Sequence, residues 1–149
     1  MLKTISCNEN YSVDEEGNVY SKTGRKLKCS KNQGGYLQLS IYKNGKLEKM
    51  LLVHRLVYET FVGEISPGFE IDHIDCERTN NALSNLRTVT HTQNRWNTKD
   101  SKGCSFFKNN KKWQANIFVN GKKIYLGYFE TEEEAHAAYL KAKEIYHII

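Results

Sequence analysis

Ile71-Asp72-His73-Ile74-Asp75, then Thr79-Asn80-Asn81, Asn85-Leu86-Arg87 and Thr90-His91-Thr92-Gln93-Asn94 form the densest polar pattern in this chain of 149 residues. Asn85 follows His73 by twelve residues, and Asn94 follows Asn85 by nine. Successive side chains of an extended segment point to opposite faces, so Asp72 and His73 cannot serve one ligand set. They suit a division of labour instead. A carboxylate is a hard donor for Mg²⁺ or Mn²⁺, and an adjacent imidazole can take a proton from water near neutral pH. A helix beginning near Thr90 would present His91 and Asn94 one turn apart on one face. Taken singly, an Asp-His pair reads as a turn and Asn-Asn as a loop. Taken together, these residue types supply what metal-assisted hydrolysis of a phosphodiester needs.

Upstream, the chain reads as short strands. Tyr11–Val13 and Asn18–Ser21 flank a turn signal at Glu16-Gly17, and residues 35–42 alternate apolar and polar before Asn44-Gly45. Asn-Gly between alternating runs is a strong hairpin signal, with a return strand from Leu47 to about Leu52. Val53, Leu56, Val57, Thr60 and Phe61 then share one helical face, which predicts a helix over 53–62. Downstream, a polar stretch from Asn97 to Lys102 separates the motif from a second patterned region. Residues 113–119 and 123–129 alternate around Asn120-Gly121, and Thr131 with Glu134 forms a capping box for a helix whose apolar stripe is Ala135, Ala138, Tyr139, Ala142 and Ile145. A three-stranded antiparallel sheet packed on one helix is the economical fold for residues 103–149.

The charge is patterned too. Within a net charge of +5, nine Lys or Arg and one acid occupy 21–55, six acids and one Arg occupy 56–80, and seven Lys and one acid occupy 99–128. Either basic block alone reads equally well as solvated surface; two of them around an acidic segment suit a protein that grips phosphates and holds a metal between the grips. The cysteines Cys7, Cys29, Cys76 and Cys104 form no Cys-x-x-Cys pair, so neither a structural zinc nor a disulfide framework is expected. No apolar run approaches a bilayer span, and the N-terminus has no apolar signal region, so a cytoplasmic protein is expected.

The combination Val53-His54-Arg55-Leu56-Val57, Ile71 to Asp75, Thr79 to Asn81, Leu83 to Arg87, Val89-Thr90 and Gln93-Asn94 resembles the HNH nucleases of phage intron-encoded homing endonucleases. That resemblance implies a ββα-metal core, a two-stranded ribbon and a helix clasping one divalent ion, Mg²⁺ or Mn²⁺. Carried over by position, Asp72 and Asn94 would be the metal ligands and His73 the general base. Asn85 would brace the loop and orient His73, and His91 would lie beside the site. His54 fits either packing or function. The chain departs from the family pattern at Cys76-Glu77, where Gly-Asn is common; a left-handed backbone there would strain Cys76.

Gly103-Cys104-Ser105, Lys112 to Ile117, Leu126 to Thr131 and Glu134 to Tyr139 resemble the DNA-binding domain of plant ethylene-response factors, which also occurs attached to phage HNH endonucleases. The alternation independently sends Trp113, Ala115, Ile117 and Val119 toward the helix. It leaves Ser105, Phe107, Gln114, Asn116, Phe118, Lys123 and Tyr125 on the open face, where Gln, Asn and Lys could reach base edges or phosphates of double-stranded DNA. The plant domains use several Arg there, and this chain has none between Gly103 and Tyr128. The expected architecture is therefore α+β: N-terminal strands and nuclease core over 1–97, a linker at 98–102, and the sheet-and-helix domain over 103–149. A metal-dependent, site-selective DNA endonuclease is the expected function. The alternative is a non-catalytic DNA-binding regulator on the same scaffold.

Overall fold

The computed structural model describes residues 1–43, 45–98 and 101–148. They form two compact units, Met1–Asn97 and Thr98–Ile149. Among the described residues no helix is long and apolar enough to cross a membrane.

The first unit opens with β1 (Leu2–Thr4), β2 (Tyr11–Asp14) and β3 (Val19–Ser21), an antiparallel sheet in that order with Val13 opposite Val19. A second antiparallel sheet contains β4 (Ser30–Lys31), β5 (Leu37–Lys43) and β6 (Lys46–Leu52). Its turn glycine, Gly45, has φ 75°, as a tight hairpin requires; Asn44 of the expected Asn-Gly pair lies outside the described residues. Helix α1 (Val53–Phe61) follows without a break and buries Val53, His54, Leu56 and Val57. One core joins these pieces: Ile5, Val13, Val19, Leu39, Ile41, Val53, Leu56, Val57 and Leu86.

The rest of this unit is a two-stranded ribbon and a short helix. Strand β7 (Phe69–His73) pairs antiparallel with β8 (Leu86–Thr90), setting Asp72 opposite Arg87 and His73 opposite Leu86. A loop and one 3₁₀ turn, Leu83–Asn85, connect the strands. Thr90 ends β8 and caps α2 (His91–Trp96): its hydroxyl accepts from the Gln93 amide, while the Gln93 side chain accepts from the Thr90 amide. The cap turns the chain sharply and brings α2 back beside the ribbon.

The second unit is the expected sheet and helix. Strands β9 (Cys104–Phe107), β10 (Lys112–Val119) and β11 (Lys122–Phe129) pair antiparallel with β10 central, and α3 (Glu132–Tyr146) starts at its Thr131 cap. Ile117, Tyr139 and Ala142 form the core, with Val119, Ile124 and Leu126 packed around them. Three expectations need correction. Glu134 accepts from the Glu130 amide at 3.2 Å, not from that of Thr131, so the Thr131 cap is one-sided. Ile145 is 65% exposed, because at 100° per residue it has turned about 80° away from the direction of Ala135. A bulge between Ala115 and Asn116 also shifts the pairing with β11, so Gln114 faces Tyr128 and Asn116 faces Tyr125.

Gly103 fixes the start of this unit. Its φ is 62°, and a Cβ there would fall 2.0 Å from two ring carbons of Tyr139. Gly103→Ala combines left-handed strain with an impossible contact on the core aromatic. It should destabilise the second unit by roughly 3 kcal/mol. Hydrogen exchange should show β10 amides losing protection while those of β5 and β7 keep theirs; unchanged β10 protection would contradict this packing.

Candidate functional site

The ribbon ends in two consecutive buried polar residues, Asp72 and His73, each 5% exposed. As the strand pleat requires, their side chains have separate partners. Asp72 takes a forked ion pair: Arg87 Nε and one terminal nitrogen each lie 2.9 Å from Oδ2. Arg87 stands directly opposite on β8, so the pair follows from the register. On the other side Asn97 Nδ2 lies 3.0 Å from both Asp72 oxygens and 2.8 Å from the His73 carbonyl. Carboxylate and carbonyl oxygens only accept, so the atom that Asn97 presents must be its amino group.

His73 packs against the rings of His54 and Tyr36, at centroid distances of 5.2 and 5.8 Å. Its Nε2 lies 3.0 Å from Asn81 Oδ1, and Asn81 is 2% exposed. A carbonyl oxygen is an acceptor, so Nε2 donates here, and in the neutral ring Nδ1 holds the lone pair. Asn85 braces the loop as its position implied, but the side chain that bonds the His73 ring is that of Asn81. Its Oδ1 accepts from the Asp75 amide at 3.1 Å, and its Nδ2 donates to Asp75 Oδ1 and the Asn80 carbonyl, each at 2.9 Å. Asn85 thus ties the loop between the strands, while the bond to His73 comes from Asn81. Asn80 also donates to Asp75 Oδ2, and the Asp75 carboxyl is held below its ordinary value by that bond foremost.

Within the loop, Cys76 has φ 61°, the left-handed conformation in which its Cβ is strained. Its thiol donates to Asn97 Oδ1 at 3.2 Å, which joins the loop to the residue on Asp72. Arg78 reaches from the loop to the Gly34 carbonyl at 2.8 Å and lies 5.1 Å from the Tyr36 ring centre.

Asn94 and His91 meet on Glu70. Asn94 Nδ2 is 2.6 Å from one carboxylate oxygen and His91 Nδ1 is 2.9 Å from the other. These bonds, that of Asn94 first, hold the Glu70 carboxyl below its ordinary value. Glu70 and Asp72 share one face of β7, so Asn94 and Asn97, three residues apart, lie along that face in step with them. With its nitrogen on Glu70, Asn94 has Oδ1 to offer a cation. The donor types, a carboxylate and an amide oxygen, are those a hard ion takes. Asn97 opens the polar stretch at the last position of the expected nuclease core; its sequence signal is its three-residue step from Asn94.

In the second unit, Ser105 pairs with Gln114, Asn116 with Tyr125, and Phe118 with Lys123, which sets these residues on one face with Phe107. Phe118 is 59% and Tyr125 is 51% exposed. The bulge adds Tyr128, whose ring contacts both Phe107 and Tyr125 at about 5.5 Å, 5.5 and 5.4 Å between centroids.

Comparisons place the first unit's site in a known context. A family model for HNH endonucleases matches residues 51–96. The DNA endonuclease I-HmuI of Bacillus phage SP01 is 40% identical over 85 residues, covering 56% of this chain and 48% of that protein. Protein 3.8 of Escherichia phage T7 is 36% identical over 77 residues, covering 47% of this chain and 64% of that protein. A solved structure describing DNA binding and cleavage by the HNH homing endonuclease I-HmuI aligns at TM-score 0.58 and 30% identity, over 84% of this chain and 76% of that one. Against I-HmuI in full, the aligned part of the chain spans about half the relative, 48%.

His54 tests how the ring cluster is held. Its pKa is pushed down to about 4, by burial first and then by the charges of His73 and Arg55. It is neutral in the fold but titrates near 6.5 when unfolded, so its contribution is complete above pH 6.5 and is lost as pH falls toward 4. That loss amounts to roughly 3 kcal/mol. Denaturant unfolding of His54→Phe should show a fall in stability between pH 7 and pH 4 smaller than wild type by that amount. Equal pH profiles would mean that His54 is not buried neutral.

Proposed function

We propose that this chain, which belongs to the HNH endonuclease family, is a site-selective DNA endonuclease of the homing type that hydrolyses phosphodiester bonds in double-stranded DNA with one divalent ion, Mg²⁺ or Mn²⁺. The observation that carries this reading is the end of β7. It presents a buried carboxylate on one side and a buried, singly bonded imidazole on the other, both locked by different partners.

In this reading His73 Nδ1 takes a proton from the attacking water, since Nε2 is occupied by Asn81. Asp72 and Asn94 would hold the ion, whose charge would stabilise the phosphate and the leaving oxygen. Arg87 aims the Asp72 carboxylate, and Asn85 keeps the loop closed behind it. The open face of the second unit would bind the target: Gln114 and Asn116 offer amides to base edges, and Phe107, Phe118 and Tyr125 offer apolar contact. Between residues 101 and 129 there are six Lys and no acid, a composition that favours phosphate.

His73→Ala should bind DNA as wild type does and nick supercoiled plasmid on the order of 10²–10⁴-fold more slowly in Mg²⁺. Asp72→Ala or Asn94→Ala should remove the Mg²⁺-supported activity, as a chelator should in the wild type. DNA binding with no cleavage by the wild-type chain in Mg²⁺ or Mn²⁺ would favour the non-catalytic regulator.

Replacing Asn116, Phe118 and Tyr125 together by Ala should weaken binding to the preferred site more than binding to random DNA, at one fixed salt concentration. These side chains lie on the face away from α3, so the unit should stay folded. An unchanged affinity ratio would move target reading to the basic strands of the first unit.

A further inference from the structure

We infer that the N-terminal hairpin turn at Gly17 belongs to the device that aims His73, acting through Asn81 as a positioning residue. The inference rests on reading His73 as the base. It gives a role to two residues to which the family resemblance assigned none, one of them outside the segment 51–96 matched to the family.

Asn81 is wedged. On one side its Oδ1 bonds His73 Nε2 at 3.0 Å. On the other lies Gly17, where a Cβ would sit 2.7 Å from Asn81 Cβ and 2.8 Å from its carbonyl carbon and oxygen. Gly17 has φ 82°, so the turn demands glycine for its backbone while the contact demands it for space. The turn is also stiff. The Asp14 carboxylate accepts from the amides of Glu16 and Asn18 at 3.1 and 2.8 Å, from Asn18 Nδ2 at 2.9 Å and from the Tyr20 hydroxyl at 2.8 Å. Its next carbonyl, on Glu15, accepts from the Leu83 amide at 2.7 Å, two residues beyond Asn81. A braced turn is therefore seated on the residue whose side-chain oxygen bonds the His73 ring. Tyr36 and His54 pack against the same ring.

The test is a cycle of variants read by single-turnover nicking of supercoiled plasmid in Mg²⁺ and, separately, by DNA affinity. Asn81→Leu keeps the volume and loses the acceptor; it should slow cleavage by about 10- to 100-fold and leave affinity within about twofold. Asn81→Asp restores an acceptor oxygen and should recover most of the rate. Gly17→Asn, whose side chain tolerates left-handed backbone but adds a Cβ, should reproduce the loss seen in Asn81→Leu. If either variant melts below the assay temperature, the other decides. In a His73→Ala background neither substitution should cost anything further, because both act through that imidazole. Wild-type cleavage by Asn81→Leu, or an equal loss in the His73→Ala background, would overturn the inference. Wild-type cleavage by His73→Ala itself would instead remove the base, and the positioning role with it.

Discussion

Two adjacent polar side chains, Asp72 and His73, are buried at the end of a strand, and the first unit is arranged around satisfying both. A buried carboxylate with no partner costs several kcal/mol, and an imidazole free to rotate has no defined proton acceptor. Because the pleat separates the two side chains, one set of partners cannot serve both. The register of the ribbon therefore supplies Arg87 to Asp72, and the loop supplies Asn81 to His73. A slip of one residue would exchange the faces and leave a charge facing His54 and an imidazole facing Arg87. Asn85 matters for that reason. By closing the loop on Asp75 and Asn80, it holds the strands in the register that the two buried groups need.

Much of this was legible in the sequence. The strands over 11–14 and 37–43, helix α1 and the sheet and helix of the second unit follow from apolar period and turn residues. The ribbon itself came from family likeness, since five-residue strands around a polar loop carry little periodicity. What escaped was the choice between near neighbours. Asn80 and Asn81 are chemically identical, and only the loop backbone, with Cys76 at φ 61°, decides that Asn81 turns inward toward His73. The contact of Asn97 with Asp72 depends on α2 running beside β7, which no local pattern encodes. β1 was missed because its three residues are exposed and owe their strand form to pairing with β2.

The second unit shows the same limit from another side. Strict alternation from Lys123 and Tyr125 would send Gly127 and Phe129 outward. The bulge opposite Ala115 and Asn116 absorbs one residue and sends Tyr128 outward instead. The open face thereby gains a third contiguous aromatic beside Phe107 and Tyr125. A surface of this kind, with lysines but no arginine, offers stacking and apolar contact where an arginine-rich face would offer bidentate bonds to guanine.

The ion pair at Asp72 also limits how a cation could share that carboxylate. Arg87 places two of its nitrogens on Oδ2, while Oδ1 meets the amino group of Asn97, which Oδ2 shares. A cation approaching Oδ1 competes with a neutral amide and leaves the guanidinium in place, so the buried charge is compensated before and after binding. Displacing Arg87 would be more costly, because a partly buried cation would lose its partner as well. The amide that must yield belongs to Asn97, which also accepts from the Cys76 thiol. Movement of Asn97 is therefore felt at the strained residue of the loop, and through the loop at Asn85 and Asn81. The carboxylate and the imidazole point to opposite faces, yet the hydrogen bonds around them form one connected set.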